Sequence, residues 1–257
     1  MKTKVLISVK TYPAVSGKYD ELVCTAGFRE DGSWVRLYPV SFRKLFYGSQ
    51  YKKYNWIEID LAKNTSDFRP ESYRPCSEIK ILDHVNTDNN WQKRKEIVLR
   101  NVYADLRKLI EEAKSAKRTS LAVFKPAKIL DFIAEPTDEN WDPKKLAQLN
   151  QMNLFEERLR PVNKLPYNFY YKFKDTNGLE SKLLVNDWEV GALYWRMRFK
   201  KRCTEDQAIQ HVKNRFLTDF ANNKELYFFL GTTRTFHLRS KNPFIIIGVF
   251  YPKKETL

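Results

Sequence analysis

The run Trp195-Arg196-Met197-Arg198-Phe199-Lys200-Lys201-Arg202 places five cationic side chains within eight residues, interleaved with rings and uninterrupted by an acid. Such a pattern suits the binding of a polyanion. Lys and Arg attract phosphates at long range, and aromatic faces stack on bases. On a helix, Arg198, Lys201 and Arg202 fall on one side, with Arg196 and Lys200 extending the basic surface. Leu193, Met197 and Trp188, joined by Tyr194 or Trp195, would form the buried edge. Contact of this kind is salt-sensitive and weakly sequence-selective. An ordinary solvated helix face is the competing reading, and the helix dipole explains part of the cation enrichment near a C-terminus.

Two further clusters have the same chemistry. In residues 33–40, Trp34, Arg36 and Tyr38 share one parity while Val35 and Leu37 share the other. If the aliphatic pair points inward, an outward Trp-Arg-Tyr stripe results; the reverse assignment buries Trp34 and Tyr38. Arg43, Lys52, Lys53, Tyr54 and Trp56 extend this candidate face, with Tyr12 and Tyr19 as weaker additions. Arg234, Arg239 and Lys241 lie in a loop over 231–242, where Gly231-Thr232-Thr233 offers backbone N–H groups to an anion. The loop lacks the glycine-lysine-serine/threonine ending of a Walker motif.

Catalytic chemistry has less support. His84, His211 and His237 stand alone, and Cys24, Cys76 and Cys203 do not pair at metal-binding spacing, so neither metal nor cofactor is expected. Zincin, nucleophile-elbow, dinucleotide and kinase signatures are absent. Glu58 and Asp60, two apart on one strand face, have the geometry for a Mg²⁺-dependent nuclease, but no lysine motif accompanies them. Asp187 and Glu189 form a second such pair, better explained as a helix cap and a first-turn dipole complement. A third alternative is an assembly protein, because six tryptophans and fourteen tyrosines equally suit a protein partner. The expectation is binding to DNA or RNA without intrinsic catalysis, and no catalytic residue is assigned.

The whole chain agrees with that expectation. Its 257 residues carry 46 Lys and Arg against 31 Asp and Glu, a net charge of +15, and so large an excess calls for a polyanionic counterpart. The apolar run at 5–9 is too short for a signal-peptide core, and no stretch approaches a membrane span. Three widely spaced cysteines suit a reducing compartment, so a cytoplasmic protein with no membrane partner is expected.

The elements that must position these residues fall into two β-rich regions. Strand patterns occupy 5–9, 21–28, 33–40, 54–61 and 78–82, with 67–75 as a proline-held loop. Five strands in so short a stretch imply a small, strongly curved sheet or barrel. Apolar residues recurring at three and four predict an amphipathic helix over 91–117. Strands at 121–124 and 129–133 close a first domain, 1–133, with 91–118 as its helical insertion. The second domain, 134–257, opens with a helix over 143–158 capped by Asp142. It continues with a hairpin at 169–174 and 183–185, helices within 188–220, and strands at 225–230 and 243–250. Thr204 and Gln207 form a capping box, and Phe244-Ile245-Ile246-Ile247 reads as a central strand.

Leu22-Val23-Cys24-Thr25-Ala26-Gly27, followed by Asp31-Gly32-Ser33-Trp34-Val35-Arg36-Leu37-Tyr38-Pro39-Val40, resembles the start of the dual OB-containing domain, a microbial family. A threonine here separates Cys24 from Ala26. The resemblance implies two oligonucleotide-binding-type barrels and contact with nucleic acid. The expected fold is therefore mixed α/β, predominantly β, with two OB-like small barrels or curved sheets and helical insertions.

Overall fold

The computed structural model describes residues 2–16, 20–45, 47–144, 147 and 162–255. It is a predominantly β, mixed α/β structure. The first sheet uses β1 (Lys2–Lys10), β4 (Thr25–Phe28), β5 (Trp34–Leu37), β6 (Asn55–Lys63), β7 (Ser72–Pro75) and β8 (Lys80–His84). A separate hairpin, β2 (Ala14–Ser16) and β3 (Asp20–Leu22), fills the connection from β1 to β4. The pairings β1–β4–β5–β7–β6–β1 close a ring of five strands, and β8 adds to β6 outside it. With ring strands counted in chain order, the sequence around the barrel is 1-2-3-5-4. Only the β5–β7 contact is parallel within the ring. That is the Greek-key order of an OB-type barrel.

Period-2 patterning explains the barrel's inside. Val5, Ile7, Val35, Leu37, Ile57 and Ile59 fill one core, while Trp56, Glu58 and Asp60 alternate outward on β6. β1 is covered on both faces, because Leu6 and Val9 enter a different core. Its pairing with β4 shifts register between Ile7 and Val9, opposite Gly27. A Cβ on Gly27 would lie 2.1 Å from the Leu6 carbonyl oxygen, so only glycine lets the two backbones meet at this bulge.

The second sheet contains β9 (Val102–Tyr103), β10 (Leu121–Phe124), β11 (Lys128–Pro136), β12 (Tyr167–Lys174), β13 (Glu180–Val185), β14 (Tyr227–Thr232) and β15 (Phe244–Phe250). Its order is β11-β12-β13-β15-β14-β10-β9, with β13 and β15 parallel. β10 and β11 are consecutive in the chain. Taken as one strand interrupted at 125–127, they give this sheet the 1-2-3-5-4 order of the first barrel and make it a second, barrel-like unit, joined at that strand by the chain itself and not by a closing pair among the described residues. The connection from β13 to β14 holds α3 (Trp188–Trp195), which widens into a π turn at Arg196–Lys200. It also holds α4 (Glu205–Lys213), which continues as a π-helical stretch, Asn214–Asn222. Val190, Tyr194, Ala208, Val212 and Phe216 from these helices pack with Phe132, Phe169 and Tyr171 in the second core.

A third core joins the barrels. Leu6, Ala26 and Phe28 from the first pack against Leu121, Val123, Phe229, Ile247 and Phe250 from the second. Trp34 lies between them, its ring 3.9 Å from Phe28 and 5.7 Å from Phe229.

Several boundaries differ from the sequence expectation. The helix over 91–117 is two helices, α1 (Asp88–Val98) and α2 (Leu106–Lys114), with β9 between them. Asp105 restarts the second by accepting from the Lys108 N–H at 3.1 Å. The stretch 67–75 is not all loop, because β7 within it closes the first barrel. β10 and β11, assigned by sequence to the 1–133 domain, belong to the second sheet. Asp142 accepts from the Lys144 N–H, as a cap should, but most of the helix expected over 143–158 lies outside the described residues. No helix among the described residues is long and apolar enough to cross a membrane.

Candidate nucleic-acid interface

The stripe on β5 points out of its barrel as one parity required, yet the second barrel covers it. Arg36 is only 2% exposed. Its guanidinium donates to the hydroxyls of Ser120 at 2.8 Å and Ser72 at 3.3 Å, and to the Ser120 carbonyl at 3.1 Å. Ser120 in turn donates from its hydroxyl to Glu71 at 2.6 Å. Trp34 and Trp56 pack along the inter-barrel core. Tyr54 is buried beneath the Arg94 guanidinium, 3.7 Å from its ring centre. Arg36, Trp34, Trp56 and Tyr54 thus join two domains and are removed from the candidate binding face. Alternation gives a strand's direction relative to its own barrel but carries no signal for a second barrel above it.

Lys53 is likewise an interface residue. Its ammonium donates to both Asp187 carboxylate oxygens, at 2.8 and 3.0 Å, and lies 3.2 Å from Glu189. Burial opposes the charge on each partner. The adjacent carboxylates outweigh it and raise Lys53, whereas burial dominates and raises Asp187. Asp187 also caps α3 by accepting from the Glu189 N–H at 3.0 Å. Tyr38, before the cis bond to Pro39, and Arg43 are half-buried, while Lys52 is exposed. Tyr12 donates its hydroxyl to the Asn163 carbonyl and accepts from the Trp195 indole. The side chain of Tyr19 lies outside the described residues.

The matching outer face of the second barrel is uncovered, and two of its cations are paired with carboxylates while Lys174 is exposed. Tyr170 and Lys172 point outward on β12, since Phe169, Tyr171 and Phe173 point inward. Lys172 pairs with Glu180 at 2.6 Å, and Lys182 with Glu135 at 2.8 Å.

A different surface forms where the fourth-to-fifth-strand loops of the two barrels meet. In the first barrel this loop spans 64–71; in the second, 233–243. Arg69 forks onto Asp67, with Nε at 2.9 Å and Nη2 at 2.6 Å, and reaches across to the Thr232 carbonyl. Burial pushes the Asp67 carboxyl up, but the hydrogen bonds and charge of Arg69 and the Ser72 hydroxyl together outweigh it and hold Asp67 well below the usual carboxylate range, at about 2. His237 is fully buried beneath the second loop. Its Nε2 faces the Ala113 carbonyl at 2.8 Å and must donate, so its Nδ1 accepts from the Thr232 hydroxyl at 2.7 Å. Burial lowers its pKa, which favours the neutral ring.

Above this polar base the loops present apolar tips among cations. Phe68, Phe236 and Leu238 are 38%, 56% and 48% exposed. Phe68 lies 5.3 Å from the His237 ring and 5.2 Å from the Arg118 guanidinium. Arg118, Arg234, Arg239 and Lys241 are exposed, and among the described residues none of them has a carboxylate within ion-pair distance. Lys114 donates to the Lys241 carbonyl at 3.0 Å, which ties α2 to the same edge.

The basic run forms a second exposed patch with altered geometry. Arg196, Lys200, Lys201 and Arg202 are exposed, but the π turn and the left-handed Arg202 (φ 55°) replace the single helical ridge expected from sequence. Arg198 is drawn inward, donating to the Cys203 carbonyl at 2.8 Å and approaching Glu205 at 3.8 Å. Phe199 is 63% exposed.

Of the cations singled out by sequence patterning, Arg234, Arg239, Lys241, Arg196, Lys200, Lys201 and Arg202 are exposed. The patterning missed Phe68, Arg118, Phe236 and Leu238. For Phe236 and Leu238 the readable signal was their spacing from Arg234 at every second position of a polar loop; Phe68 and Arg118 had no such local mark. Of the two carboxylate pairs, Asp187 serves Lys53 and the α3 cap. Glu58 lies 4.0 Å from Lys2, and no group of three or more His, Cys, Asp or Glu side chains gathers among the described residues.

Two family models divide the chain. One, described as Domain of unknown function (DUF8758), matches residues 1–100, and another, Domain of unknown function (DUF8757), matches residues 102–257. The chain belongs to the DUF8757 family. The DUF8757 portion begins at β9 and takes in the whole second sheet, whereas the sequence reading placed the division after 133. In this family member the fourth-to-fifth-strand loop of the DUF8757 portion supplies Arg234, Phe236, Leu238, Arg239 and Lys241, and the DUF8758 match supplies Phe68. No curated protein matches the chain.

Proposed function

We propose that this protein binds DNA or RNA along the edge where the two barrel loops converge, without chemistry of its own. The observation carrying this reading is the coincidence of three exposed apolar tips, Phe68, Phe236 and Leu238, with cations lacking ion-pair partners among the described residues. Loops joining the fourth and fifth strands are among the nucleic-acid-contacting parts of OB-type barrels. Cations already matched with carboxylates, such as Lys172 and Lys182, gain less from a phosphate than Arg234 or Arg239. The repeated 1-2-3-5-4 order and the motif around Cys24 and Trp34 also support a relationship to the dual OB-containing domain family.

The test is fluorescence anisotropy with single- and double-stranded DNA and RNA across a salt series. The triple variant Arg234→Glu/Arg239→Glu/Lys241→Glu should lower the log–log salt slope for single strands by about 2, at roughly 0.7 per phosphate contact. Lys80→Glu/Lys128→Glu/Lys174→Glu changes the net charge equally elsewhere and should have a smaller effect. Equal losses would reduce the interaction to diffuse net charge. Absence of binding at low salt, with a defined oligomer persisting at high salt, would favour a protein-assembly role.

A further inference from the structure

We propose that a cleft beside the basic run receives one unstacked nucleobase of a single strand, an inference that rests on the nucleic-acid reading and specifies its ligand. The cleft lies between residues 139–141 and 162–166 on one side and the turn carrying Trp195, Arg198 and Phe199 on the other. Its volume is about 510 Å³, enough for a base with its sugar.

The cleft's aromatic wall is built for stacking. The Phe199 ring lies 5.0 Å from Trp195 at an interplanar angle of 7°, so the two rings form a continuous stack. Phe199 is 63% exposed, and among the described residues no second ring covers its other face. Hydrogen bonds fix the stack in advance. The Trp195 indole donates to the Tyr12 hydroxyl at 2.9 Å, which donates to the Asn163 carbonyl at 2.6 Å. Across the cleft, the Trp141 indole donates to the Val162 carbonyl at 2.8 Å and is similarly held.

The lining also holds two carboxylates, Glu139 and Glu205, the second occupied by Arg198 at 3.8 Å and by the Tyr167 hydroxyl at 3.0 Å. Asn140 and Asn163 line the cleft, and a side-chain amide can donate and accept along a base edge. Lys164 also lines it, and exposed Arg196 and Lys200 flank Phe199 in sequence, providing charge for the adjoining phosphates. Charge alone would need no exposed phenyl ring stacked on an indole. A base inside a duplex already has both faces covered, so the ligand is a base from a single strand.

The experiment follows the indole ¹⁵N–¹H resonances of the full chain, assigned with Trp141→Phe and Trp195→Phe. Adenosine or uridine monophosphate should shift the Trp141 and Trp195 signals saturably, and ribose 5-phosphate at the same concentration should not. Phe199→Ala should weaken nucleoside monophosphate binding and single-strand binding by about 5- to 100-fold, with duplex binding unchanged, and Phe199→Tyr should restore it. Equal shifts with ribose 5-phosphate would assign the effect to charge and overturn the cleft. No shift with either probe, alongside salt-dependent oligonucleotide binding, would overturn the cleft and leave the loop-edge reading standing. Saturable monophosphate binding without polymer binding would instead overturn the loop-edge reading and leave a mononucleotide site.

Discussion

Replacing Lys10 with methionine should stabilise this protein near neutral pH. Lys10 ends β1 with its ammonium 4.0 Å from the Phe42 ring centre, 4.8 Å from Trp188 and 3.4 Å from the Tyr51 carbonyl. Burial disfavours its charge, and Lys53 repels it, while Glu189 and Asp187 draw it partly back; its pKa falls to about 8 from 10.5. At 1.36 kcal/mol per pKa unit, that fall represents on the order of 3 kcal/mol against the charged form. The two ring contacts offset about 0.5–2 kcal/mol. Lys10→Met should therefore raise the unfolding free energy at pH 7 by about 1–2 kcal/mol. The sign with pH follows from proton counts. Between about 8 and 10.5 the unfolded chain holds a proton on Lys10 that the folded chain has released, so native stability rises with pH across that window. The variant lacks this group, so the difference in its favour should fall by about 3 kcal/mol over that interval and change sign. Urea unfolding of both proteins from pH 7 to 10.5 measures it, and taking the difference removes the titrations they share. A constant difference across pH, or a less stable variant at pH 7, would refute the assignment.

Asp187→Asn keeps a competent α3 cap but leaves Lys53 facing only Glu189, at 3.2 Å. It should cost near the lower end of the roughly 3–5 kcal/mol typical of breaking a buried pair, read by urea unfolding, and a loss below about 1 kcal/mol would show that Glu189 suffices. Gly27→Ala should destabilise by about 1–3 kcal/mol or more in the same assay, because the added methyl meets the Leu6 backbone rather than a movable side chain. A neutral result would mean that β1 and β4 can separate at the bulge.

Local signals were legible where one strand or helix terminus determined the outcome. Alternation put Val35 and Leu37 on one face of their strand and left open which face was inward, which the structure decides by placing both in the first barrel; Thr204 with Gln207 forms the capping box their spacing implied. The all-apolar Phe244-Ile245-Ile246-Ile247 lies in a strand flanked by β13 and β14. What failed depends on contacts distant in sequence. Trp34 and Arg36 look like a binding stripe until Phe229 and Ser120 cover them from the other barrel. The prolines at 70 and 75 signalled a loop, but β7 between them pairs with β5 and β6. The break between α1 and α2 has neither glycine nor proline to announce it, and the capping carboxylate of Asp105 is its local mark.

Joining two OB-type barrels through an outer face restricts where a ligand can approach. In the first barrel, the outward side chains of β4 and β5 meet the second: Phe28 and Arg36 are buried against Phe229 and Ser120, and Trp34 is half-buried beside Phe229. In the second barrel, the open face opposes two of its cations with Glu135 and Glu180, which lowers its attraction for phosphate. The same packing brings the 64–71 and 233–243 loops together, linked by Arg69 reaching the Thr232 carbonyl and by Phe68 beside His237. It also fixes the Trp195 and Phe199 stack, because the tyrosine that orients Trp195 comes from the connection after β1. Both proposed surfaces therefore depend on the inter-barrel contact, though neither lies within it. Loosening that contact should weaken nucleic-acid affinity without removing a single exposed cation.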